Sequence, residues 1–342
     1  MKNTAYFFIS TIAIVVVLIY GKSLLIPFVF ALLLWFLVRK SRHLLDNVKF
    51  INKFFPSWLK SLIPSLILIS ALGFISKLLM TNINSLAKSY PLYEANVETM
   101  IVKVNDLLQI NLVEYFTAHS GDFDFGIILK KIFKSLTDLL GNAFIIIIYA
   151  LFIFLEEANF NTKLKAVFSK NNDYAELSDI LEKIELSITT YIGLKTFVSF
   201  ITGVASYVAL LFIGIDAPLF WSFLIFFLNF IPTIGSLIGT LFPAVFCLLQ
   251  FGEFTPSLLV LGFVGAIQVI VGNLLEPKLM GNSLNISSFV AIFSLSFWGV
   301  LWGVTGMLLS IPITVIMVIV FAHFEQTKAV AIMLSEKGKI DD

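Results

Sequence analysis

Between Tyr191 and Ala322 the chain carries five charged residues: Lys195, Asp216, Glu253, Glu276 and Lys278. Asp216 and Glu253 stand beside Gly, Pro or Thr at the ends of apolar runs, the composition of interfacial turns. Glu276 and Lys278 flank Pro277 in Gly272-Asn-Leu-Leu-Glu-Pro-Lys278. An ionised carboxyl at membrane depth is expensive and commonly functional. Glu276 therefore reads in one of two ways. It carries a proton or a sodium ion, or it is an interfacial residue capping the turn before Pro277, with Lys278 as its partner. Other chemistry is absent. The three histidines, His43, His119 and His323, lie outside the apolar runs, and none sits in H-E-x-x-H. There is no G-x-S-x-G nucleophile turn and no G-x-x-x-x-G-K-[ST] phosphate loop. An intramembrane enzyme and an ATP-driven pump are both disfavoured, and no cofactor is implied. Cys247 is the single cysteine, so no intrachain disulfide can form, and its apolar surroundings suit packing.

The second source of chemistry is the backbone itself. Residues 218–250 form an uncharged run of 33 residues. As one straight helix it would be about 50 Å long, against a hydrocarbon core of about 30 Å. Asn229, Pro232, Gly235, Gly239 and Pro243 interrupt it, and proline removes a donor and clashes with the preceding turn. A break near Pro232 is expected. Residues 285–322 repeat the problem, with Gly299, Gly303, Gly306 and Pro312 as breakers. The two breaks look faintly alike: Pro232-Thr-Ile-Gly235 with Pro243, and Gly303-Val-Thr-Gly306 with Pro312. Broken helices leave N–H and C=O groups that lipid cannot satisfy, so those groups must face protein or a water-filled cavity. Paired overlong, Gly/Pro-broken segments are the pattern of secondary transporters. Each segment is either a re-entrant hairpin or a kinked crossing. Close packing is the competing reading of the glycines, through Gly235-x-x-x-Gly239 and Gly299-x-x-x-Gly303.

The elements that position these residues follow from composition. Of 342 residues, 58% are hydrophobic, 13% are charged and 36 are Phe. Mean hydropathy is +0.96. That excludes a soluble enzyme, a disordered chain and a nucleic-acid binder. The long apolar runs exclude a β-barrel. The fold class is an all-α polytopic integral membrane protein of about eight transmembrane helices at roughly 20 residues per crossing. Two Pro/Gly-broken, re-entrant segments fall in its C-terminal half.

Spans are expected at 5–20, 24–38, 61–80, 137–155, 191–214 and about 255–275, beside the two broken segments. Residues 5–20 are a retained first span and not a signal peptide, because no small-residue cleavage site follows. The loop 39–60 holds Arg39, Lys40, Arg42, Lys49, Lys53 and Lys60 against Asp46, and is cytoplasmic by the positive-inside rule. Both termini are then cytoplasmic. The division runs as 1–80, the first three spans; 81–136, extracytoplasmic amphipathic helices; 137–190, span four and a cytoplasmic amphipathic helix; 191–322, a transport domain; and 323–342, a tail. The outer helices rest on the stripe Val97 to Leu108 and on Ile128, Ile132 and Leu136, either side of the turn 121–124. The cytoplasmic helix rests on Leu177, Ile180, Leu181, Ile184 and Ile188.

Asn229-Phe-Ile-Pro-Thr-Ile-Gly235, with Pro243 downstream, resembles the N-x-x-P-x-x-G signature of the autoinducer-2 exporter family of bacterial membrane transporters. Gly272-Asn273 through Glu276-Pro277 to Gly281 resembles its next block, and Gly299, Gly303, Gly306 and Ile311-Pro312 its last. The resemblance is specific over 229–312 and rests on hydropathy before about residue 190. Thr233 stands where an aromatic is common, and Ser236 where a second proline is common. The resemblance implies a carrier in the bacterial inner membrane with an elevator-like motion, homo-oligomers (a pentamer among them) and export of autoinducer-2 or sodium- or proton-coupled antiport. Autoinducer-2 is small, polar and mostly uncharged. Asn229, Thr233, Asn273 and the freed backbone near Pro232 and Gly303 are the candidates to hydrogen-bond it, with Glu276 as the ion carrier. A structural, non-transporting membrane protein is the remaining alternative.

Overall fold

The computed structural model describes residues 2–46, 143–168, 171–280, 285–336 and 338, together with twelve positions between Ile63 and Asn96, all twelve helical. The expected outer stripes over 97–108 and 128–136, the turn at 121–124 and most of the 39–60 loop lie outside the described residues. Among the described residues there is no strand, and the chain is an all-α membrane protein.

Among the described residues ten α-helices can be delimited: α1 Lys2–Tyr20, α2 Lys22–Asp46, α3 Ala143–Val167, α4 Asn171–Ile213, α5 Pro218–Leu228, α6 Ile234–Phe251, α7 Phe254–Ile270, α8 Glu276–Met280, α9 Ser288–His323 and α10 Glu325–Leu334. A π-helical turn, Val271–Leu275, joins α7 to α8. The cytoplasmic stripe and the fifth span, expected as separate helices, are one helix of 43 residues. No Pro or Gly falls between Leu177 and Tyr191, so nothing in the backbone stops the helix there. The stripe holds, with Ile180, Ile184 and Ile188 buried.

The residues cluster into two compact units. The first draws on Met1–Ser70, Leu139–Ile192 and Asn282–Asp342. Here α1 ends at Gly21, where an added Cβ would sit 2.6 Å from the Val17 carbonyl. A clasp of charge ties α2, α3 and α4. Glu157 accepts from Trp35 Nε1 at 2.9 Å and from Arg42 Nη2 at 2.8 Å, and Arg39 Nε lies 3.2 Å from Glu185. Both arginines of the chain are spent in this clasp, where a planar, many-donor fork fits better than a lysine.

In the same unit, α9 folds back on itself. Gly303 has φ 64 and ψ −144, while its neighbours remain helical. Ser294 Oγ meets Thr314 Oγ1 and donates to the Ser310 carbonyl at 3.1 Å. In a straight helix residues 294 and 314 would be about 30 Å apart. The expected second broken segment is therefore a helical hairpin, turned at Gly303 alone. Gly299, Gly306 and Pro312 lie inside its arms. At its base, Ser287 N–H donates to Leu334 of α10, and His323 pairs with Glu176. At its tip, Trp302 Nε1 donates to the Leu18 carbonyl at 2.9 Å. That carbonyl is free because α1 ends three residues later.

The second unit draws on Ala71–Asp138 and Gly193–Gly281. Here α5 and α6 form the other hairpin. Trp221 and Phe246, distant in sequence, have ring centroids 4.9 Å apart. With 11 residues, α5 is about 16 Å long and cannot cross a core of about 30 Å, so the hairpin is re-entrant. Its base is laced at the C-terminal end of α4. Gln250 donates to the Gly214 carbonyl at 3.0 Å and accepts from Asp216 N–H at 2.7 Å. Asn96 donates to the carbonyls of Leu249 and Gln250 at 2.9 and 2.8 Å, and Tyr93 donates to Asp216. Asp216 and Glu253 both lie in turns, as their neighbours predict.

Candidate functional site

The hairpin tip of the second unit occupies residues 229–233. Asn229 ends α5, and Pro232 cannot donate to a continued helix. Thr233 takes φ 58 and ψ −55, outside the ordinary regions for a β-branched residue, and its side chain makes no cap. Such a conformation costs about 1–3 kcal/mol and persists only where packing enforces it. Gly235 is that enforcement. It packs so tightly on the opposite arm that an added Cβ would lie 1.8 Å from the Leu228 carbonyl oxygen. Among the described residues, the Thr233 N–H has no acceptor. The rest of the backbone here is bonded: Ile231 N–H donates to Leu228, Ile234 N–H to Pro232, Gly235 N–H to Ile231 and Leu237 N–H to Thr233.

Beside this tip runs a polar seam that the sequence reading did not assemble. On α4, Lys195, Ser199, Thr202 and Ser206 are all buried, at no more than 3% exposure. Their spacing of four, three and four puts them on one helical face. Gly203 on that helix lets α5 approach, with a built Cβ only 3.2 Å from Phe226. Asn229 Nδ2 then donates to Ser199 Oγ at 3.1 Å. One turn earlier along α4, Lys195 is ion-paired with Glu276. Three further buried polar atoms of this unit, Ser206 Oγ, Trp221 Nε1 and Gln268 Nε2, have no partner among the described residues. Leaving a buried donor unmade costs about 1–3 kcal/mol. A membrane offers no water to satisfy it unless a cavity does.

The partner of Glu276 differs from the sequence expectation. Lys278 is exposed and makes no ion pair among the described residues, whereas Lys195, 81 positions upstream, makes it. The reason is the π turn. Pro277 would clash with the carbonyl four residues back in a regular helix, and the wider turn over Val271–Leu275 absorbs the conflict, with the Glu276 N–H donating to Val271. The extra residue in that turn resets the phase of the helix after it, which brings Glu276 to face α4; Lys278, two residues on in the same helix, lies on the opposite face. Asn273, inside the turn, is exposed and makes no side-chain hydrogen bond to these residues among the described residues.

The predicted residues thus fall into separate groups. Asn229, Pro232, Thr233 and Gly235 share one tip, and Glu276 and Pro277 follow the π turn. Gly303, Gly306 and Pro312 belong to the α9 hairpin. There Gly303 makes the turn. Gly306 plays the part that Gly235 plays in the other hairpin, with a built Cβ 1.9 Å from the Trp298 carbonyl. Pro312 is buried in the second arm, where the backbone keeps helical dihedral angles. The faint likeness of the two breaks is thus a likeness of construction, a glycine just past the turn pressed on the facing arm's carbonyl. The four polar residues of α4 were legible as a stripe inside an apolar span. Their neighbours were not legible.

A family model described as AI-2E family transporter matches residues 8–326. The chain belongs to the AI-2E transporter family. Among its relatives is the AI-2 transport protein TqsA of Escherichia coli, 30% identical over 277 residues, covering 80% of this chain and 79% of the relative. A putative transport protein of Borreliella burgdorferi is 32% identical over 260 residues, covering 74% and 70%. One from Haemophilus influenzae is 29% identical over 294 residues, covering 84% and 83%. This AI-2E family member is accordingly a multi-pass membrane transporter of the bacterial inner membrane type. Its hairpins and buried polar seam lie inside the matched region.

Proposed function

We propose that this chain carries a small polar, uncharged solute across the inner membrane by alternating access, with autoinducer-2 as the first candidate. One observation carries the reading. A hairpin with an arm too short to cross the bilayer carries a strained tip with a free Thr233 N–H, and Asn229 of that tip is bonded to a buried polar seam on α4, groups that lipid cannot satisfy. Neutral hydroxyls and amides, Ser199, Ser206, Asn229 and Gln268, suit a sugar-like solute better than a charged one. The name of the Escherichia coli relative supports autoinducer-2 in particular. Residues 191–322 are the transport region of this reading, moving in an elevator-like manner within a homo-oligomer, a pentamer being the expected form. Both termini are cytoplasmic in it. The test is uptake of labelled autoinducer-2 into proteoliposomes. Pro232→Ala and Gly235→Leu should lower the rate at least tenfold. Wild-type rates in both variants refute the role of the tip. The alternative, a sodium- or proton-coupled cation antiporter, requires Lys195 to leave Glu276 in every cycle. It would be favoured by a wild-type flux that follows an imposed sodium or proton gradient.

A further inference from the structure

Lys195 and Glu276 form the one ion pair in which a nearly fully buried charge takes part among the described residues. The Lys195 side chain is 4% exposed and that of Glu276 22%. A buried ammonium is tolerated only with a partner, and removing either member leaves an uncompensated charge. The nearer cation, Lys278, points elsewhere, so the chain reaches across from α4 to neutralise this carboxylate. Both members lie in the same compact unit. A rigid displacement of that unit would carry the pair intact. A lone carboxylate on a moving element would have to enter hydrocarbon charged or take up a cation first.

We infer that Lys195 is the tethered counter-cation of Glu276. Its ammonium occupies the place that a sodium ion or a proton would otherwise fill, so the solute crosses without a co-transported cation. Lys195 is in this sense the residue that sets the coupling of the carrier. The inference rests on the carrier reading above, but its test needs no solute.

The full chain is reconstituted in phosphatidylcholine vesicles. Cation entry is followed with radioactive sodium and with a trapped pH-sensitive dye. The wild type should be cation-tight, at the level of protein-free vesicles. Lys195→Gln should admit one of the two cations at least tenfold faster, because Glu276 now recruits a cation from solution. Lys195→Gln/Glu276→Gln, with both charges gone, should be tight again. If Lys195→Gln does not fold, Lys195→Met, whose unbranched stem refills the same buried volume, takes its place. Cation entry through the wild type that Glu276→Gln abolishes overturns the inference, since Glu276 is then a free ion site. A folded Lys195 variant that gains neither cation overturns it too. Failure of the carrier reading is seen separately, as a wild type that moves no labelled autoinducer-2.

Discussion

Replacing Gly235 by alanine adds one methyl group at the tightest point of the α5–α6 hairpin. The new Cβ would lie 1.8 Å from the Leu228 oxygen and 2.6 Å from its carbonyl carbon. Ordinary contact begins near 3.4 Å, so the arms must part by more than an ångström. The obstacle is backbone, not the far end of a side chain, and no rotamer change relieves it. Overpacking a tight site costs about 1–3 kcal/mol, and this collision belongs at the upper end. At about 1.4 kcal/mol per factor of ten, the closed tip loses roughly a hundredfold in population. The geometry supplies its own control. Gly262 on α7 has nothing within 4 Å of a built Cβ. There alanine gains about 1 kcal/mol of helix propensity and meets no atom. The assay pairs thermal unfolding in detergent with labelled autoinducer-2 uptake in proteoliposomes. Gly235→Ala should unfold earlier and transport at least tenfold more slowly, and Gly262→Ala should do neither. Equal behaviour of the two variants would refute the hairpin geometry, and with it the argument from close approach.

Gly303→Ala tests a different mechanism, because nothing lies within 4 Å of its built Cβ but its φ of 64 and ψ of −144 suit glycine alone. The expected cost is about 1–3 kcal/mol of backbone strain, read as earlier unfolding with no steric component, so Gly303→Ser should match it. Asn229→Leu should leave Ser199 unpaired and lower stability by about 1–3 kcal/mol. In a double-mutant cycle with Ser199→Ala the two should couple by at least about 0.5 kcal/mol. Strict additivity would show that the hydrogen bond is not made. Glu157→Gln should cost about 2 kcal/mol by leaving Arg39 and Arg42 short of charge, measured by unfolding, while uptake per folded molecule stays at the wild-type level.

Much of the architecture was legible because its causes are local. Uncharged runs longer than a bilayer, one interrupted at Pro232 and the other by Gly299, Gly303, Gly306 and Pro312, announce broken helices from bilayer thickness and proline and glycine chemistry alone. The signature residues from Asn229 to Pro312 named the family, and the family model bears that out. The 43 residues of α4 were harder to read. Loop and span differ there in polarity, yet the backbone has no reason to stop.

By itself the sequence determined the class, a break near Pro232, a second break somewhere among Gly299, Gly303, Gly306 and Pro312, and the membership in a transporter family, since hydropathy, proline and glycine act through the residues beside them. Only the tertiary structure decided that both broken segments double back, because a hairpin differs from a kink in which distant residues touch. It alone decided that Glu276 pairs with Lys195 and not with its sequence neighbour Lys278. A single extra residue in a π turn rotates everything after it, and no count along the chain shows which helix then lies opposite.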